Sequence, residues 1–370
     1  KIFNFRRGMG AVVDYGDFLI VRPIKNYRIN SGVIIIKGEE PVIVDTGSST
    51  DPGIGRIRAA FKINKIDPDS VKYVIVTHSH QDHATSLWQI ENFCKNAKAI
   101  CHANEFKQVQ NPTRMPKAWS AALKLLGRPK WVQNLYNYLS IPMLMLFYRT
   151  IHIHARLDYV TNYETDSEHF SLDDCPKLET TDNEFTIIPT HGHSEGHISV
   201  LDKNGNLYLG DFLPFTPWVN PNAEALDKMI DSTEILLSIP DSRIKRAIRS
   251  HGDIRRDRNY RGKLHDNGPW YGLSATWEVA DWSEEKERFQ YWLDKIRTTL
   301  ERIQDLLTKP LPCYSLIKLI IRHYKNYSFI MRELFIPPAM TWILAYCLKL
   351  EKMGKIRRIK KHNYLYWVKA

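Results

Sequence analysis

Seven consecutive residues, Thr77-His78-Ser79-His80-Gln81-Asp82-His83, place three imidazoles and a carboxylate directly after the β-branched run Val71–Thr77. A loop at a strand end can aim such groups at one small volume. His78 and His80 alternate, so in extended backbone they project to the same side. Asp82 and His83 are adjacent, so they tend to point apart and can address a second ion. Neutral imidazole and carboxylate are the donors that hold zinc while leaving a coordination position for water. The chemistry this offers is metal-assisted hydrolysis.

The His-x-His-x-Asp-His pattern after a buried strand resembles the signature of the metallo-β-lactamase superfamily, and the chain is similar to that family over roughly residues 10–270. Three later segments carry the resemblance further, each after a predicted strand. Thr190-His191-Gly192-His193-Ser194-Glu195-Gly196-His197 is similar to the family's Pro-Gly-His-Thr-x-Gly-His segment, with Thr190-His191 in place of the common Thr-Pro. Leu209-Gly210-Asp211 matches the family's bridging aspartate, and Ser250-His251-Gly252-Asp253 its last histidine ligand. The resemblance implies a first ion on His78, His80 and His193, a second on Asp82, His83 and His251, and Asp211 bridging both. It also implies a metal-bridging hydroxide as nucleophile, with Asp82 as the catalytic residue that accepts its proton. Two Zn2+ ions are the expected cofactors, with iron or manganese as alternatives. Asp45-Thr46-Gly47 resembles a family element that supports the metal loop.

Other histidines read differently. His191 and His197 flank a ligand and are read as donors that fix imidazole orientation. His152 and His154 share one face of an extended stretch and read as a surface or packing pair. His102, His169, His265, His323 and His362 stand alone, with no constellation around them.

The elements that must position these groups alternate between strands and helices. Phe18–Arg22 is a strand, and Gly32–Lys37 with Pro41–Asp45 reads as a hairpin. Ile54–Ile63 and His83–Cys94 read as helices, and Ala97–His102 as a strand. Glu184–Pro189 is a strand. Val200–Leu201 and Leu207–Leu209 flank a Lys-Asn-Gly-Asn turn. Asn222–Ser238 reads as a helix and Ile244–Ser250 as a strand. The fold class expected is α/β, an αββα sandwich of two sheets with helices outside. Residues 1–110 and 176–280 form its two parts. Residues 111–175, rich in proline and aromatic residues, read as a helical insertion or lid. Residues 281–370 read as a winged-helix-like C-terminal domain. Asp281 and Glu284 open a long helix through a capping box, and Ser315–Tyr324 and Met340–Met353 are further helices. Lys355–Ile359 and Tyr364–Val368 then form a hairpin.

Composition limits the class of protein. The 370 residues are 43% hydrophobic and 25% charged, an ordinary globular balance. Five scattered cysteines with no Cys-x-x-Cys pair argue against a disulfide framework and for a reducing, cytoplasmic setting. No transmembrane helix is predicted, because the apolar stretch Phe335–Leu350 is short and interrupted by two prolines. The net charge is +11, and roughly nine of those charges lie from Asp281 onward, which suits an anionic partner.

A metal-binding domain followed by such a tail resembles the β-lactamase-like protein 2 group. The leading functional expectation is hydrolysis of an ester, thioester or lactone, a small acyl substrate with an apolar portion. Single-strand endoribonuclease activity on RNA is the alternative, with promiscuous β-lactam hydrolysis as a side activity. A homodimer stays open.

Overall fold

Val33-Ile34-Ile35-Ile36 divides its side chains between two hydrophobic layers, which is why it reads as an unbroken apolar run rather than an alternating one. The computed structural model describes residues 12–23, 30–50, 53–111, 157–212, 224–251, 278–312, 341–361 and 364–370, with isolated positions within 130–138 and 315–319. Most of the predicted lid, most of the predicted helix at 315–324, and His152, His154, His265, His323 and His362 lie outside the described residues.

The first sheet has the order β1 (Val12–Asp14), β2 (Phe18–Val21), β3 (Val33–Ile36), β4 (Val42–Val44), β5 (Tyr73–Ile75), β6 (Lys98–His102) and β7 (Tyr159–Thr161). Its first four strands are antiparallel neighbours, while β4 to β7 run parallel through crossovers. Those crossovers carry α1 (Ile54–Asn64), α2 (Gln81–Ala84), α3 (Leu87–Phe93) and α4 (Phe106–Gln110). The second sheet runs β13 (Val279–Asp281), β12 (Arg246–Ile248), β11 (Asn206–Tyr208), β10 (Ile198–Asp202), β9 (Glu184–Pro189) and β8 (Lys177–Glu179). Helix α5 (Ala225–Ser238) joins β11 to β12.

Three apolar layers result. Phe18, Ile20, Ile34 and Val44 of the first sheet meet Phe185, Ile187, Val200 and Tyr208 of the second in the middle of the sandwich. Leu19, Val21, Val33 and Ile35 face Ile57, Phe61, Leu87 and Ile90 of the outer helices. Ile188, Leu201 and Leu209 face Met229 and Leu236 of α5, with Trp282 and Phe289 of α6 (Trp282–Leu306). This is the αββα arrangement.

The second half of α6 leaves that layer. Trp292, Ile296 and Ile303 pack against Leu344, Cys347 and Leu350 of α7 (Thr341–Lys352), with Ile356 and Trp367 of the hairpin β14 (Ile356–Lys361) and β15 (Tyr364–Lys369). Leu226 of α5 belongs to the same cluster, so this core is continuous with the sandwich.

Two local readings are corrected. The helix expected over His83–Cys94 is two helices, broken at Thr85-Ser86, where Thr85 Oγ1 bonds back to the Gln81 carbonyl at 2.6 Å. The capping box at Asp281 does not form. Asp281 is the N-cap residue and the last residue of β13, paired opposite Arg246, with the extended backbone usual for a cap, but its side chain makes no cap bond.

Candidate metal centre

Strand direction explains how the functional groups meet. β9 and β11 are both antiparallel to β10, and β12 is parallel to β11, so the C-terminal ends of β9, β11 and β12 share one edge. His193, Asp211 and His251 follow those three ends, and the loop after β5 supplies the rest from the facing sheet.

The structure brings all seven sequence-predicted residues together in two groups that could hold metal ions: His78, His80, His193 and Asp211, then Asp82, His83 and His251. His80 Nδ1 lies 2.8 Å from His78 Nε2 and 3.0 Å from His193 Nε2. Asp211 Oδ2 lies 4.0 Å from His78 Nε2 and 3.7 Å from His193 Nε2. In the second group, His251 Nε2 is 3.3 Å from His83 Nε2 and 3.1 Å from Asp82 Oδ2. Asp211 Oδ2 is also 3.2 Å from His83 Nε2 and 3.1 Å from His251 Nε2, so one oxygen stands between the groups. Ligands about 2.0–2.1 Å from a tetrahedral ion sit roughly 3.3–3.4 Å apart, which these spacings bracket. Asp82 and His83 do not point apart as expected. On the single helical turn of α2 their donor atoms converge to 3.5 Å.

The electrostatics fit a cation. Burial and the neighbouring imidazoles of His83, His80 and His193 hold His78 well below the ordinary histidine range, in the neutral form that a metal ion requires of a ligand. Burial also keeps His80 and His193 low. For Asp211, burial favours the protonated form, but His251 and His83 outweigh it and hold the carboxyl well below its usual value. For His251, burial opposes charge, and the carboxylates of Asp211 and Asp82 raise it to about 10. The carboxylates thus demand positive charge at this point. Asp211 Oδ1 is buried with no hydrogen-bond partner among the described residues, a further mark of a group meant for coordination.

Supporting residues fix these donors. Asp45 accepts hydrogen bonds from the Thr77 backbone and hydroxyl, from Ser250 Oγ and from His83 Nδ1. Thr77 Oγ1 also lies 3.0 Å from His78 Nδ1, leaving His78 Nε2 to face the site. Glu105, buried below the loop, accepts Ser79 N–H at 2.9 Å and Gly196 N–H at 2.8 Å, tying the first metal loop to the segment bearing His193. Sequence reasoning missed Glu105. Its signal was an acidic residue just past the end of β6, on the same parallel edge as His78.

His197 does not orient an imidazole. Its Nδ1 meets Thr190 Oγ1 at 2.8 Å and its Nε2 accepts the Asp211 backbone N–H at 3.2 Å. Burial holds it neutral, at about 3. Gly210 is required beside it: at φ +56°, a Cβ there would come within 2.7 Å of Thr77 Oγ1 and 2.9 Å of His197 Nε2. His191 turns away from His193 altogether, because Gly192 between them has φ +123°. It joins His102 and Glu164, so His102 is not isolated as expected. His169 pairs with Asp166 on the surface.

The model of the metallo-beta-lactamase superfamily matches residues 25–251, and the chain belongs to that superfamily. No curated protein matches the chain. Among solved structures, it is similar to a metallo-beta-lactamase family protein from Thermus thermophilus, at 18% identity and TM-score 0.63, with 96% of this chain and 99% of that one covered. It is also similar to a beta-lactamase domain protein from Burkholderia ambifaria, at 14% identity and TM-score 0.69, over 98% of this chain and 95% of that one. Both likenesses concern the fold, and both extend past the last residue matched by the superfamily model.

Proposed function

We propose that this protein is a dinuclear metal-dependent hydrolase acting on an ester, thioester or lactone. The observation that carries the reading is Asp211 Oδ2, placed 3.1–4.0 Å from imidazole nitrogens of both groups. His78, His80 and His193 would hold one ion, Asp82, His83 and His251 the other, and Asp211 both. Zinc suits this His-rich donor set. The chemistry such a pair of ions supplies when bound is an activated water near neutral pH and polarisation of the electrophile. Asp82 is the residue suited to take the proton from that water, since its carboxyl stays ionised: burial opposes this, but His83 and His251 prevail.

The acyl class is favoured by the aromatic insertion at 111–175, where Trp131 and Tyr138 expose 66% and 79% of their surface. Large exposed aromatics in a segment inserted between the two halves of a hydrolytic site suit an apolar acyl portion. The free thiols of Cys94, Cys101 and Cys175 support a reducing, cytoplasmic setting. No helix among the described residues is long and apolar enough to cross a membrane.

A second reading, single-strand endoribonuclease, is favoured by the exposed basic residues Arg357, Arg358 and Lys360 on β14. Salt separates the two. Phosphate contacts weaken steeply with ionic strength, whereas turnover of an uncharged ester does not. A panel of p-nitrophenyl esters, acyl thioesters, lactones, a chromogenic cephalosporin and fluorescent single-stranded RNA, run at low and high salt, tests this. Salt-insensitive ester, thioester or lactone turnover is expected. RNA cleavage alone would replace the first reading with the second, and no turnover with two ions bound would overturn both.

A further inference from the structure

We propose that His102, His191 and Glu164 form a third metal site, separate from the two groups above and taking a single divalent transition ion. Their donor atoms lie within 4.8 Å of one another. Glu164 presents both carboxylate oxygens, Oε2 at 3.0 Å from His191 Nε2 and Oε1 at 3.6 Å from His102 Nε2. The two rings stand edge to face with centroids 4.9 Å apart. Two imidazoles and one carboxylate are a ligand set that binds zinc or iron and leaves a position for water.

A second observation points to a ligand. His102 is 1% exposed and His191 4%, yet His102 Nε2 has no hydrogen-bond partner among the described residues. An imidazole nitrogen buried in this way is costly unless something meets it. Glu164, by contrast, has a half-exposed side chain, so an ion has a route in. Asn104 Nδ2 donates to Glu164 Oε1 at 3.3 Å, and Ser232 Oγ donates to the His191 carbonyl at 2.9 Å, so carboxylate and loop are each held from outside. Gly196 makes room for the His102 ring, since a Cβ there would fall 2.6 Å from its Nδ1.

The position suggests what the ion does. His102 ends β6, Glu164 follows β7, and His191 lies two residues before His193. An ion here would clasp three segments and steady the loop that delivers His193. It would also be the weakest bound of the three. His102 Nδ1 accepts the Asn104 backbone N–H at 3.2 Å, and ligation through Nε2 needs the proton on Nδ1, so that bond is given up on binding. Loss of one hydrogen bond corresponds to about tenfold in affinity.

The test is calorimetric titration of metal-free protein with Zn2+ alone, comparing wild type with Glu164→Gln and His102→Gln. Because the Glu164 side chain is half exposed, its variant should fold normally, which a melting curve checks. The expected result is one weaker equivalent in wild type beyond the tight sites, weakened at least tenfold in Glu164→Gln with the tight sites unchanged. An identical isotherm for wild type and Glu164→Gln, or no weaker equivalent in wild type, would overturn the proposal. The comparison reads a difference of one ion, so it stands or falls apart from how many ions the other two groups hold.

Discussion

Asp45 Oδ2 accepts the Nδ1 proton of His83 at 2.8 Å, with both residues fully buried. The same carboxylate gathers Thr77 and Ser250, so one residue holds the loop after β5 and the end of β12 in register. It does so from φ +58°, a left-handed conformation uncommon for non-glycine residues, though aspartate tolerates it better than most. Asp45→Asn would set an amide against donors on every side. The variant is expected to lose about 10–100-fold in metal affinity, measured by competition with a chromophoric chelator, while its fold is retained. Unchanged affinity would mean that His83 needs no such support.

Asp82 is close enough to His251 and His83 to act as ligand and proton acceptor together. Asp82→Asn is expected to lower turnover by about 10²–10⁴-fold on whichever substrate the wild type hydrolyses, with metal content measured alongside. A fully active variant would remove Asp82 from the chemistry.

Much of this centre was legible because its candidate ligands follow strand ends in short, dense motifs. His78, His80, Asp82 and His83 fall within six residues. The third cluster was not legible: His102, Glu164 and His191 come from distant segments, and only the pairing of β6 with β7 and the turn at Gly192 brings them together. The short strands β1, β7, β8 and β13 also escaped notice, since three residues carry too little periodicity to register. Where local patterns failed, tertiary demands prevailed. The break at Thr85 frees Asp82 and His83 to sit on a single turn.

Arg249 and Glu285 form a buried ion pair that anchors α6 beside the centre. Arg249 also donates to the Phe212 carbonyl at 3.2 Å, next to Asp211, and lies two residues before His251. Removing one partner leaves the other charge stranded. Glu285→Leu is expected to cost about 3–5 kcal/mol by urea denaturation. Arg297→Gln, which breaks an exposed pair with Asp294, is expected to change nothing beyond scatter. Equal effects from the two would contradict the burial argument.

Burial pushes the thiols of Cys94 and Cys175 up to about 12, and that of Cys101 higher still. The thiolate is the reactive form, so at pH 8 these groups stay protonated and inert. Iodoacetamide at pH 8 is expected to leave all three unmodified in native protein and to modify all three after unfolding, read by mass spectrometry. Rapid native labelling of any of them would contradict their placement.

The most direct test of a two-ion hydrolase is to titrate metal-free protein with Zn2+ while following turnover of a responsive ester or thioester. Activity is expected to stay near baseline through the first equivalent, rise with the second and gain nothing from further metal. Full turnover at one equivalent, or none on any substrate of the panel at two, would contradict the account.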